Sequence, residues 1–256
     1  MVTTVFMIKW LYYNKENSSK EAEFMEDTLK VTNVLSDPTR FHIYEYITTR
    51  LQSVTVQEIA DEFSIHPNVA RLHLSKLEDV NMLLSETQKT GKGGRPSRLY
   101  RLSDEVIQFS FPFRDYQLLS NVLLQSLESL GADGSKALYE TGKLFGKELM
   151  EKEIVRYTNN KDTLTKEDKM RLLQNASFMT GQMPTLEWNE DQTTLYFEIY
   201  NCPFKEVAKM HKDKVCMMHQ SFFVGMFEAL FNDVTLVEKQ NIITGCNQCA
   251  YHSKIM

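Results

Sequence analysis

Four cysteines, Cys202, Cys216, Cys246 and Cys249, carry the most versatile chemistry in this chain, and all lie beyond residue 200. A thiolate can hold zinc or an iron–sulfur cluster, attack an electrophile or be oxidised; a protonated, buried thiol is a small inert hydrophobe. The stretches between them are thirteen, twenty-nine and two residues long, so only Cys246 and Cys249 form a C-x-x-C pair. Neither a compact zinc-finger run nor a ferredoxin run is present. Any shared ligand must therefore be assembled by the fold. A disulfide scaffold would spread its cysteines through a short secreted domain, whereas a late cluster points to metal or redox chemistry. On spacing alone three readings stay open. The four thiolates could hold an iron–sulfur cluster. They could hold a tetrahedral zinc, with His211, His219 or His252 replacing one thiolate. They could also simply be buried. Cys216 is expected at the head of a helix, where the dipole favours the thiolate.

A second set of residues has hydrogen-bonding chemistry. Asn68, Arg71 and Ser75 are spaced three and four apart, which is one face of a helix. Downstream, Lys89, Lys92, Arg95, Arg98 and Arg101 stand against a single acid, Glu86, between Ser85 and Leu102. The whole chain carries a net charge of −5, so this is a local cationic patch. Such a patch suits a polyanion.

The elements that must position these residues can be read from their signals. Asp37-Pro38 starts a helix, with Asp37 as cap and Pro38 at the first position. Phe41, Ile43, Tyr44 and Ile47 continue it towards Leu51. Thr55 and Glu58 form a capping box for a short helix bearing Ile59, Ala60 and Phe63. Ser64-Ile65 is a turn. His66-Pro67 opens a second helix whose inward set is expected to be Val69, Leu72 or His73, Leu74 and Leu77. His73 is expected to pack on the first helix. Asn81 is expected in a left-handed conformation at the end. Leu83–Gln88 and Ser97–Leu102 then read as a hairpin around Gly91, Gly93 and Gly94, which carries the cationic patch at its tip. Helix, turn, helix and basic hairpin is the recipe for duplex DNA. The second helix enters the major groove and the hairpin touches phosphate.

Beyond Phe111-Pro112-Phe113, the residues Tyr116, Leu119, Val122, Leu123, Leu127 and Leu130 give an amphipathic helix of about four turns. It suits a dimer seam, since a two-fold operator needs two readers. Residues 136–156 read as a helix with Leu138, Leu144, Phe145 and Leu149 inward. A helix from Lys166 to Thr180, a hairpin of Thr185–Trp188 and Thr194–Tyr200, a helix over Cys216–Phe231 and strands at Val234–Val237 and Ala250–Ile255 complete a small α+β domain. The expected fold class is α+β: an N-terminal winged helix-turn-helix over 31–104, a linker and dimerisation helix over 105–134, and a C-terminal sensor domain over 135–256. Residues 1–30 form an extension, and its first 24 residues read as loose or mis-assigned. Its apolar start is too short to span a bilayer and lacks signal-peptide shape, so the chain is expected to be cytoplasmic and free of membrane. A Gly-rich phosphate loop and a Ser/His/Asp arrangement are both lacking, and no enzyme is expected.

HPNVARLHLSKLEDVNML followed by GKGGRPSRLYRL resembles the winged-helix domain of ArsR-like regulators, in particular the SufR-type branch. NCPFKEVAKMHKDKVCMMHQSFFVGMFEALF and GCNQCAYH are similar to the C-terminal region of that branch, and the resemblance covers most of residues 31–256. SufR-type proteins are iron–sulfur-binding repressors of cluster-assembly genes. The resemblance implies a homodimer on a two-fold double-stranded DNA operator. It also implies a cluster of the [4Fe–4S] kind on Cys202, Cys216, Cys246 and Cys249. A structural zinc, or an organic effector pocket beside structural cysteines, is the alternative.

Overall fold

The computed structural model describes residues 26–50, 52–88, 97–110, 112, 114–231 and 233–255. The expected loose extension, residues 1–24, lies outside them, and so do Lys89, Lys92, Arg95 and the glycines of the hairpin tip. The chain divides into two compact units, 1–113 and 114–256.

In the first unit, residues 26–35 are helical (α1). Next come α2 (Pro38–Thr48), β1 (Val54–Thr55), α3 (Val56–Glu62), α4 (Pro67–Glu78), β2 (Leu83–Gln88) and β3 (Ser97–Leu102). The caps are those the sequence specifies. The Asp37 carboxylate accepts from the Arg40 N–H at 2.9 Å, and Thr55 and Glu58 exchange both capping-box bonds. Ser64 and Asn81 sit at positive φ, 52° and 58°, and close the turns after α3 and α4. α2 stops at Thr48, short of the expected Leu51. The sheet order is β1-β3-β2. The unexpected two-residue β1 pairs Val54 with Tyr100, which ties the start of α3 to the hairpin. Ile43, Ile47, Ile59, Leu74, Leu77, Leu83 and Tyr100 are fully buried beneath it.

The inward face of α4 differs from expectation. Ala70, His73, Leu74 and Leu77 are buried, while Val69 and Leu72 are 40% and 56% exposed. The small Ala70 takes the inward position, and the helix is rotated so that both larger aliphatics face solvent. His73 packs inward as expected; burial holds its ring below the usual imidazole range.

The second unit holds α5 (Tyr116–Ser129), α6 (Ala132–Tyr157), α7 (Lys166–Met179), β4 (Pro184–Trp188), β5 (Thr194–Ile199), α8 (Lys205–Ala208), α9 (Lys212–Leu230), β6 (Val234–Gln240) and β7 (Cys249–Ile255). The antiparallel sheet runs β4-β5-β7-β6. Leu195, Phe197 and Ile199 of β5 share a core with Phe223, Met226 and Phe227 of α9, and with Met150 and Ile154 of α6. The whole chain is α+β.

α6 also faces inward with a different stripe from the expected one. Its buried residues are Gly134, Gly142, Gly146, Met150 and Ile154, and Leu144 and Phe145 are exposed. A Cβ at Gly142 or Gly146 would meet the carbonyls of Met218 or Phe222, and one at Gly225 would meet the carbonyl of Lys143. α6 and α9 thus approach backbone to backbone, closer than any side chain permits. Of the four residues expected inward, Leu149 packs against the core and Leu138 is half-buried; Leu144 and Phe145 face outward because the seam has no room for them. α5 buries none of its residues fully, and Leu118, Leu119, Val122 and Leu123 are exposed.

Candidate functional site

Two places bring chemistry-bearing residues together, one in each unit. In the first, α4 presents Asn68 and Arg71 to solvent, with Ser75 half-buried behind them. The Arg71 guanidinium donates to the Asn68 side-chain oxygen at 3.2 Å, so the two heads are held as a pair. The start of α4 is fixed because the Asn68 N–H donates to His66 Nδ1 at 3.2 Å. A paired amide and guanidinium on the open face of a second helix can hydrogen-bond base edges or phosphates.

Of the expected phosphate contacts, Arg98 lies among the described residues. Its guanidinium donates to Glu78 Oε1 at 2.9 Å and to Ser85 Oγ at 2.8 Å. It therefore clamps the hairpin root to the end of α4, and its charge is partly matched there. Arg101 is engaged by Glu86 and Asp104. The remaining expected phosphate contacts, Lys89, Lys92 and Arg95, lie outside the described residues.

In the second unit the register of the sheet gathers the cysteines. Cys249 opens β7 directly opposite Ile199, the last residue of β5, and Cys202 follows three residues after Ile199. Cys216 lies in the second turn of α9. Burial raises the thiols of Cys202 and Cys249, and ionised neighbours would raise them further, Cys216 for Cys202 and both Cys202 and Cys216 for Cys249. Cys246 belongs to the loop that closes over Cys249. Asn241 organises this loop. Its side-chain oxygen accepts from Ile243 N at 2.8 Å and its carbonyl from Cys246 N at 3.3 Å. Its side-chain amide donates to Glu238 Oε2 at 3.0 Å, and the next residue, Ile242, donates its N–H to Cys249 Sγ at 3.3 Å. Nothing in the sequence pattern singled out Asn241, although an Asn followed four residues later by a glycine at positive φ (Gly245, 96°) is a turn signal.

His219 lies in the same corner. Its Nδ1 is 3.9 Å from Cys202 Sγ, and its Nε2 is 3.4 Å from the buried Gln182 amide. Burial holds this ring neutral, with its pKa pushed down to about 4. Burial also raises the thiols of Cys202 and Cys216, and takes that of Cys249 to about 11. For Cys216 desolvation outweighs the helix-start position that was expected to favour its thiolate. Soft thiols gathered in one corner are a donor set that suits zinc or an iron–sulfur cluster. Among the described residues, as their side chains stand, no three His, Cys, Asp or Glu groups converge closely enough to hold a metal ion.

A pH dependence follows for the metal-free chain. With a pKa of about 11, Cys249 is almost wholly thiol at pH 7. Its alkylation rate should rise about tenfold per pH unit up to that value. The folded pKa lies above the ordinary value of 9.0. This contribution to stability is therefore complete below pH 9 and is lost as pH climbs from 9 towards 11. Mass spectrometry of iodoacetamide-treated native protein checks this; rapid Cys249 labelling at pH 7 would contradict it.

Residues 35–86 match the family model of a helix-turn-helix domain. With strands β2 and β3 following α4, the N-terminal unit is a winged helix-turn-helix, and this supports a DNA-binding transcription regulator. No curated protein matches the chain by sequence. Solved structures similar to it include a trafficking protein particle complex subunit 3 from Naegleria fowleri covalently bound to palmitic acid (15% identity, TM-score 0.39, covering 55% of this chain and 96% of that one). Another is the phenol-responsive sensory domain of the transcription activator PoxR (15%, 0.41, 72% and 89%). A third is an H-NOX protein from S. oneidensis (11%, 0.37, 61% and 83%). TM-scores this low carry no argument. Among the described residues no helix is long and apolar enough to cross a membrane.

Proposed function

We propose that this chain is a dimeric transcription repressor that reads a two-fold duplex operator with α4 and the wing, and senses an iron–sulfur cluster through its C-terminal cysteines. The observation that carries the DNA reading is the solvent-facing Asn68–Arg71 pair on α4, next to a hairpin whose tip is cationic. Asn68, Arg71 and Ser75 would meet base edges, and Lys89, Lys92 and Arg95 would meet phosphate. Arg98 acts mainly by positioning the hairpin.

Cys202, Cys216, Cys246 and Cys249 are the residues that would hold the cluster, of the [4Fe–4S] kind. When bound, it supplies an oxidisable, removable cross-link between the ends of β5 and β7, the start of α9 and the 241–249 loop. The residues around the corner provide a route outward. His211, which begins α9, is paired through Nδ1 with Glu128 of α5 at 3.0 Å, and Lys214 bonds Ser135 at the start of α6. A change in how α9 begins is therefore felt by the α5–α6 hairpin. The outward face of α5, Leu118, Leu119, Val122 and Leu123, suits the pairing of two copies. Cofactor state can bias DNA binding only as far as it favours one arrangement of the dimer over another. His219 Nδ1 beside Cys202 favours one second reading, a zinc held by three thiolates and an imidazole.

Salt-dependent duplex binding tests the DNA reading. Affinity should fall steeply with salt, and Lys92→Ala with Arg95→Ala should flatten the slope by about one unit per lost phosphate contact on every sequence. A slope equal to that of the wild type would remove the wing from the interface. Anaerobic iron and sulfide quantitation tests the cluster; colourless protein with one zinc per chain would replace it with the second reading.

A further inference from the structure

The rotation of α4 that turns Val69 and Leu72 outward has a consequence for sequence selectivity. The buried stripe of α4 is complete without them: Ala70, His73, Leu74 and Leu77 fill it. Leu72 lies four residues after Asn68 and three before Ser75, beside Arg71, at the centre of the exposed face. It is 56% exposed, and Val69, three residues earlier, is 40% exposed. Two aliphatic side chains thus stand among the polar heads on the surface that the winged-helix arrangement turns towards the major groove.

An aliphatic side chain offers no hydrogen bond to a base edge. The one methyl group displayed in the major groove is the thymine 5-methyl, and it is the largest apolar feature there. We propose that Leu72, with Val69 beside it, contacts thymine methyls and makes thymine a determinant of the half-site next to the bases read by Asn68 and Arg71. This rests on the reading of α4 as the groove-facing helix. It assigns selectivity to two residues whose apolar character would otherwise mark them for the core.

The full chain is first used to enrich duplexes from a random library. In the winning duplex each thymine is then replaced by deoxyuridine, which removes the methyl alone. One or two replacements per half-site should weaken wild-type binding about fourfold each, the scale of one buried methyl. Val69→Ser with Leu72→Ser, which removes both aliphatic side chains, should bind the thymine and uracil duplexes equally. Arg71→Ala should weaken binding to both yet keep their ratio. If wild type binds the enriched duplex and no uracil replacement matters, the assignment of Leu72 and Val69 is overturned while the DNA reading stands. A thymine preference that persists in Val69→Ser with Leu72→Ser would also overturn it. If no duplex is enriched, the reading of α4 itself fails.

Discussion

Gly146→Val is expected to destabilise the C-terminal unit strongly while the winged helix keeps its stability. A Cβ at this position would fall on the backbone carbonyl of Phe222 in α9. That carbonyl belongs to the helix ladder and cannot rotate away, so the helices must separate. Separation strips contacts from the Phe223–Phe227 core under the sheet. Overpacking a core costs about 1–3 kcal/mol where side chains can yield, and here none of the clashing atoms is a side chain. A loss of at least about 3 kcal/mol is expected, a large share of the roughly 5–15 kcal/mol that stabilises a typical domain. Thr141→Val, on the exposed side of the same helix, should stay within about 0.5 kcal/mol. Denaturant unfolding followed by circular dichroism separates the two. A Gly146→Val midpoint like that of the wild type would mean that α6 and α9 are not in backbone contact.

On the proposed cluster reading, Cys249→Ser is expected to abolish cluster retention and, with it, the difference in operator affinity that the proposal assigns to loaded and stripped protein. Cys249 is the buried member of the C-x-x-C pair, fixed by its place opposite Ile199 in the sheet and by the Ile242 N–H that its sulfur accepts. Serine preserves a polar acceptor for the Ile242 N–H but is a far poorer ligand for a soft metal. Iron and sulfide should fall to background, and loaded-state affinity should drop by about tenfold or more, the usual scale of a coupling free energy. The variant's fold is checked by its far-ultraviolet spectrum. Full iron and sulfide content in a folded Cys249→Ser chain would remove this residue from the ligand set.

The reading head was largely legible because its signals are local. Asp37-Pro38, the Thr55/Glu58 box and His66-Pro67 each fix a helix start through bonds within three residues, and Asn81 closes α4 as its tolerance of positive φ suggests. The inward face of α4 was misjudged because residue size stood in for burial, and the small Ala70 sits where the helix needs closeness. The same error recurs in α6. Leu144 and Phe145 look like core and are exposed, while Gly142 and Gly146, four residues apart, form the seam with α9. Only the partner helix reveals that requirement. Of the cysteine corner, the sequence supplied the four thiols; their gathering depends on the β5–β7 register. The roles of Asn241, Gln182 and His219 depend on contacts up to 37 residues apart in the chain, and no local periodicity encodes them.

The most direct test of the central claim is a fluorescence anisotropy titration of wild type and Arg71→Ala on an enriched duplex and on a scrambled duplex of equal length and salt. Arg71→Ala should lose about 1–3 kcal/mol on the enriched duplex and little on the scrambled one. Equal affinity of the two proteins for the enriched duplex, or an equal loss on both, would contradict α4 as the element that reads sequence.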